Sequence, residues 1–243
     1  DCARRPGGPV VGGDAAARAH ERLLEAADAG GWRDTLDRRW PALEPVFAAS
    51  PYLFSIARRW PDRLQALLEQ GPDARLAEVL KQTAALSGGA DDVRAPLRRL
   101  KGELHLLTAI ADLGGVWTLD QVTGALSRFA DISARAALAA VAHDQRARGK
   151  LVSKADDRRG PVPGLFGLAM GKHGADELNY SSDIDISLFW SPEIVAGALA
   201  EGVEPQRFLD RLAHAFATLM QERTGDGRSE EHTSELQSRA YLV

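Results

Sequence analysis

An α+β fold is predicted for this chain: a mainly helical region to about residue 150, then the opening of a truncated α/β domain. Three observations predict it. In the first 150 residues apolar side chains recur at helical spacing. The clearest run, Leu97, Leu100, Leu104, Leu107, Ile110 and Leu113, forms one stripe. At residue 151 the composition shifts, and residues 152–164 carry charges, two prolines and two glycines. Beyond that stretch, Ile184, Ile186, Leu188 and Trp190 alternate with Asp183, Asp185, Ser187 and Phe189, the pattern of a strand with two different faces.

Taken in order, residues 1–13 are rich in Gly, Pro and Arg and are expected to be frayed. Asp14 reads as the N-cap of a first helix that Gly30 stops. Ser50-Pro51 supplies an N-cap and an N1 proline for a helix over residues 51–59. Trp60-Pro61 breaks it from a second short helix over 61–70, which Gly71 closes. The apolar stripe predicts a helix over 92–113, with Arg98, Arg99, Lys101 and Glu103 falling between the stripe residues and Gly114-Gly115 ending it. Thr118-x-x-Gln121 has the form of a capping box. A further, alanine-rich helix is expected over about 133–148.

Residues 151–163 read as a linker. Leu165 to Met170 is a short apolar run after Gly164, expected to be a buried strand. Residues 205–223 predict an amphipathic helix whose stripe is Phe208, Leu209, Leu212, Phe216, Leu219 and Met220.

The bulk numbers exclude several classes. The chain has 243 residues, 44% of them apolar and 26% charged, ordinary values for a globular protein. A net charge of −4 offers no basic field for nucleic acid. The single cysteine, Cys2, cannot form an internal disulfide, and no Cys/His set has zinc spacing. No apolar run is long enough to span a bilayer and no signal-like stretch opens the chain, so the expectation is a cytoplasmic protein without membrane contact. The chain lacks an initiator Met and is expected to be a fragment.

Residues 228–238, Arg-Ser-Glu-Glu-His-Thr-Ser-Glu-Leu-Gln-Ser, resemble the translation of a common sequencing-library adapter. Tyr241-Leu242-Val243 continues the match after a short variable index. The alternative is a natural polar tail. On the adapter reading, 228–243 are excluded from fold reasoning, the native frame stops at about Gly227, and the sheet is left with an exposed edge.

The segment 171–190 carries the chemistry. Its Asp183 and Asp185 stand two apart at the head of a strand, so both carboxylates face the same way. Magnesium takes oxygen ligands, commonly one or two carboxylates together with substrate phosphates. The glycine-flanked loop from Gly171 to Gly174 can bring backbone N–H groups toward a phosphate, a short helix starting there would add its dipole, and Lys172 supplies a point charge. Each feature alone is common: Asp-x-Asp usually marks a solvated turn or strand edge, and Lys172 alone would be a solvated charge. Their combination between two strand patterns favours nucleotidyl transfer. His173 reads as a solvated loop residue, the five tryptophans as packing, and Arg98, Arg99 and Lys101 as a solvated helix face.

The run Met170-Gly-Lys-His-Gly-Ala-Asp-Glu-Leu-Asn-Tyr-Ser-Ser-Asp-Ile-Asp resembles the nucleotidyltransferase signature of the bifunctional glutamine synthetase adenylyltransferase/adenylyl-removing enzymes. The Glu177-Leu178-Asn179 stretch resembles the N-terminal of that family's two catalytic domains, and residues 97–101, 111–117 and 121–131 are similar to its N-terminal helices. The resemblance covers about residues 15–227 and implies a nucleotidyltransferase-fold domain over 164–227. It implies that the full-length enzyme transfers AMP from ATP to a tyrosine of glutamine synthetase. The N-terminal domain removes it by phosphorolysis, giving ADP, and the signal protein PII and glutamine report nitrogen status. It further implies Mg²⁺ on Asp183 and Asp185, the catalytic pair, with ATP, ADP and phosphate as substrates and Gly171, Lys172, Gly174 and Ser182 at the phosphates.

Two departures stand out. His173 occupies a position that is usually apolar. The family's third carboxylate, on a strand after a turn like Thr224-Gly-Asp-Gly227, has no counterpart, and Asp226 is a poor substitute. The chain alone is therefore expected to be inactive. A uridylyltransferase-like regulator and a non-catalytic nucleotide- or partner-binding helical module remain the alternatives.

Overall fold

The computed structural model describes residues 13–153, 160–180, 182–221 and 238–242. Seven helices come first: α1 (Gly13–Gly30), α2 (Arg33–Ala49), α3 (Pro51–Arg59), α4 (Pro61–Gln70), α5 (Pro72–Ala84), α6 (Ala90–Leu113) and α7 (Leu119–Ala147). Strand β1 (Leu165–Met170), the single turn α8 (Gly171–Gly174) and strand β2 (Ile184–Trp190) follow. Then come α9 (Pro192–Ala198), α10 (Pro205–Gln221) and β3 (Ser238–Leu242). No helix among the described residues is long and apolar enough to cross a membrane.

Local chemistry accounts for the helix ends. Ser50 Oγ accepts from Leu53 N–H at 3.2 Å, capping α3 as expected. Thr118 and Gln121 form the reciprocal box at α7: Thr118 N–H donates to Gln121 Oε1 at 2.9 Å and Gln121 N–H to Thr118 Oγ1 at 3.3 Å. Gly71, at φ 85°, ends α4 where a Cβ would be strained. Two expectations are corrected. Asp14 lies inside α1, which starts at Gly13, so it is not the N-cap. No break precedes Ser133, because α7 runs unbroken through Gly124 and its stripe of Val122, Leu126, Phe129 and Ala130 continues into the alanine-rich part. A glycine costs a helix only about 1 kcal/mol, which packing of this stripe exceeds.

The chain divides into two compact units, 1–81 with 99–125, and 82–98 with 126–243. Composition changes at 151, but compactness does not. Leu151 is buried and bridges to Leu199, Val162 is buried, and the Arg146 guanidinium donates to the carbonyls of Ser153 and Pro161. The ends of the stretch expected to be a linker are thus packed within the second unit; residues 154–159 lie outside the described ones.

The first unit is helical throughout its described elements, with Leu23, Leu36, Leu43, Leu64, Leu104, Leu107 and Ile110 fully buried. Within it α6 is buried on more than its stripe: every residue from 102 to 111 is buried, whereas Leu113 is 47% exposed. Glu103 consequently lies inside and not on a solvated face, paired with Arg63 at 3.1 Å and with Arg75. Trp32, Trp40 and Trp117 are core residues, as expected, and Trp117 Nε1–H donates to Asp73 at 3.1 Å.

His105, also inside this unit, shares a hydrogen bond of 2.8 Å between its Nδ1 and the Tyr52 hydroxyl. Burial, helped by the nearby Lys101 charge, pushes its pKa down to about 3. An unfolded-chain histidine titrates near 6.5. Between those values the unfolded state binds the proton and the folded state does not, so stability falls as pH drops below 6.5. The expected loss is about 2 kcal/mol at pH 5 relative to pH 8 from this group. Urea denaturation at the two pH values checks it: His105→Leu should lose that part of the acid sensitivity, and an unchanged pH slope would refute the assignment.

The second unit holds a three-stranded sheet in the order β1-β2-β3. β1 and β2 are antiparallel, with Phe166 opposite Phe189 and Met170 opposite Asp185. β3 pairs parallel to β2, after the crossover through α9 and α10 that parallel pairing requires. On α10, Phe208, Leu209, Leu212, Phe216 and Leu219 are buried, as its stripe predicts. Two corrections follow. β1 is an edge strand in which only Leu165 is buried, while Phe166, Leu168 and Met170 are about half exposed. The far side of β2 is not open, because residues 238–242, set aside in the sequence reading, form β3 on it. Unpaired N–H and C=O groups on a strand edge bind any extended segment within reach, whatever its side chains. Residues 1–12, 222–237 and 243, and with them most of the tail, lie outside the described residues.

Candidate functional site

The site is assembled where β1 turns into α8 and where β2 begins. Asp183 immediately precedes β2 and Asp185 is its second residue. Alternation buries Ile184, Ile186 and Leu188 on one face and leaves Asp183 and Asp185 half-buried on the other. Both aspartates therefore share a face, as the two-residue spacing requires.

The glycines bring the lysine loop to that face. Gly171 has φ 56°, and a Cβ on it would come within 3.5 Å of an Asp185 carboxylate oxygen. The loop backbone thus runs directly beside the carboxylate. Gly174 has a different reason. A Cβ there would meet the Ala169 carbonyl oxygen at 2.5 Å, so the turn can fold back against β1 only if this residue has no side chain. Lys172 is exposed between the two.

Main-chain bonds close the turn. Ala175 N–H donates to Gly171 O at 3.2 Å, Asp176 N–H to His173 O at 3.2 Å and Glu177 N–H to Lys172 O at 2.8 Å. Asp176 takes φ 58°, the left-handed region that costs a non-glycine residue about 1–2 kcal/mol. One helical turn has no macrodipole of consequence, so the expected dipole contribution at α8 falls away.

Ser182 is buried and its hydroxyl is engaged in its own loop, donating to Asn179 Oδ1 at 2.8 Å and accepting from Asn179 N–H at 3.3 Å. In this arrangement Ser182 shapes the turn that delivers Asp183.

His173 is the largest revision at the site. It is not a solvated loop residue: its side chain is 1% exposed and its Nε2 lies 2.9 Å from Asp131 Oδ1 on α7. Four residues earlier on α7, Ser127 Oγ accepts from Leu178 N–H at 3.3 Å, and Leu178 is fully buried. Ser127 and Asp131 lie on one face of the helix. Sequence reasoning passed over both, because His173 and Asp131 are 42 residues apart and nothing local links them.

Asp183 and Asp185 offer hard oxygen donors of the kind magnesium takes alongside phosphate. Among the described residues, no group of three or more His, Cys, Asp or Glu side chains is arranged to hold a metal. The donor set therefore fits magnesium as two protein ligands that substrate oxygens would complete.

Helices leading into a small sheet, with paired aspartates at the head of its central strand and a lysine loop beside them, define a candidate phosphate-handling enzyme. The family model described as glutamate-ammonia ligase adenylyltransferase matches residues 40–231. Relatives named bifunctional glutamine synthetase adenylyltransferase/adenylyl-removing enzyme are similar over most of the chain. That of Caulobacter vibrioides is 51% identical over 224 residues, 91% of this chain and 22% of its own. That of Bradyrhizobium sp. is 44% identical over 212 residues, 84% of this chain and 21% of its own. One from Rhodopseudomonas palustris is 43% identical over 189 residues, 76% of this chain and 19% of its own. The chain belongs to the glutamate-ammonia ligase adenylyltransferase family and spans about a fifth of the length of these relatives.

Proposed function

We propose that this chain carries part of the AMP-removing site of a regulatory enzyme acting on glutamine synthetase. The observation that carries the reading is the packing of Gly171 against Asp185, which sets a lysine loop beside one carboxylate of the pair that shares a strand face. The family model's match over residues 40–231, which include these, supports it. In the reaction, an oxygen of inorganic phosphate attacks the phosphorus of the adenylyl group on tyrosine. The bond from that phosphorus to the tyrosyl oxygen breaks, the tyrosyl oxygen takes a proton, and ADP leaves.

Asp183 and Asp185 would hold magnesium, which supplies Lewis-acid neutralisation of the phosphate charge. The Lys172 ammonium and loop N–H groups orient the anionic oxygens, and such electrostatic stabilisation dominates phosphoryl-type transfer. ATP serves the opposite activity of the full-length enzyme, the signal protein PII regulates it, and the setting is the cytoplasm.

Labelled inorganic phosphate tests the reading. With adenylylated glutamine synthetase and the full-length enzyme, the label is expected in the β-phosphate of ADP. Release of unlabelled AMP would mean hydrolysis and overturn the proposal. The 243-residue chain alone is expected to yield no labelled ADP, since its described residues supply two carboxylates to the site and no third.

A further inference from the structure

We infer that helix α7 is the positioning element of the lysine loop, with Asp131 holding it at His173 and Ser127 holding the segment that leaves it at Leu178. This rests on the phosphate-handling reading of the loop. The geometry is specific. The Asp131 carboxylate accepts from His173 Nε2 at 2.9 Å, and Ser127 Oγ accepts from Leu178 N–H at 3.3 Å. Both acceptors come from one face of one helix, a turn apart; one holds His173 inside the turn that the three main-chain bonds close, the other holds Leu178 directly after it.

Lys172 lies next to one anchor and Gly171, packed against Asp185, lies one residue further back. Displacing His173 therefore displaces the lysine relative to the carboxylates. The buried ring has a further polar atom, Nδ1, with no hydrogen-bond partner among the described residues. Burying a histidine with one nitrogen unsatisfied opposes stability, whereas an apolar side chain would fill the space at no such cost. The bond to Asp131 is what the histidine adds, and it adds position. Asp131 itself is a positioning residue: its side chain is 48% exposed and it acts through His173.

Three variants test this: Asp131→Ala, Asp131→Asn, which keeps an oxygen acceptor for the Nε2–H, and Ser127→Ala. Amide hydrogen exchange of residues 174–178 reads loop order without any chemistry. Asp131→Ala is expected to speed exchange there about tenfold, the scale of one hydrogen bond to a charged group, with Asp131→Asn close to wild type. Ser127→Ala is expected to release the Leu178 amide. The thermal midpoint should move little in the Asp131 variants, since that residue is half exposed. In the full-length enzyme, Asp131→Ala is expected to raise KM for inorganic phosphate about tenfold with a smaller change in kcat, and Asp131→Asn to restore it. Unchanged exchange in Asp131→Ala, or an Asp131→Asn variant as impaired as Asp131→Ala, would overturn the inference. Absence of phosphorolysis in the wild type would instead overturn the functional reading, and the exchange measurement would still decide the positioning role.

Discussion

In the full-length enzyme, Asp185→Asn is expected to lower removal of AMP from glutamine synthetase roughly 10²–10³-fold, the scale on which loss of one preorganised electrostatic group acts. The substitution keeps the side chain's volume and its half-buried place at the second residue of β2, so the strand should persist. It removes a negative charge that magnesium ligation would use and leaves an amide whose N–H₂ cannot bind a cation. Asp183→Asn should act in the same direction, and the pair together no more than additively, because two ligands of one ion work as a unit. AMP addition, assayed on the same preparation, should persist, because the other catalytic domain that the resemblance implies carries it. Equal loss of both activities would show that these aspartates serve both. No loss of either would favour a binding module without catalysis.

The largest expected effect on stability lies away from the site. Glu103→Ala should destabilise the helical unit by about 3–5 kcal/mol, the usual consequence of removing one partner from a buried ion pair. Glu103 and Arg75 have side chains 4% and 7% exposed, and Arg63, 3.1 Å away, is 17% exposed. Removing the carboxylate leaves the Arg75 guanidinium buried beside a methyl group with its charge uncompensated. Total stability of a domain is about 5–15 kcal/mol, so this one change could consume a third of it. Urea denaturation of wild type and variant measures the difference; a loss below about 1 kcal/mol would mean that water reaches the pair and would refute the prediction. Glu103→Gln should lose less than Glu103→Ala, because its oxygen still accepts from Arg75.

Local signals were read well where the physics is local. Ser50-Pro51, the Thr118–Gln121 box and the limits of α3 and α4 depend on residues within one turn, and each appears as spacing predicts. β2 followed from alternation alone. Buried polar groups were not legible. Glu103 falls between stripe residues and nothing in the spacing marks it as buried, yet α6 is enclosed on several sides, and no helical period reports how many neighbours a helix has. The apolar run of β1 suggested burial, but Phe166, Leu168 and Met170 alternate onto one face of the sheet and are about half exposed there. The order of the sheet, and the pairing of 238–242 with β2, depend on backbone groups that carry no residue-specific code.

The candidate chemistry is written in short stretches of chain: Asp183 and Asp185 share a face because strands alternate, and Gly171 and Gly174 flank Lys172 in a turn that glycine permits. These follow from periodicity and from the backbone freedom of individual residues, both encoded within a few positions. What holds that turn in place comes from the packing of distant segments. His173 reaches Asp131, and Leu178 reaches Ser127, across 42 and 51 residues. A hydrogen bond needs two groups within about 3 Å, and the path of the chain between them sets that distance.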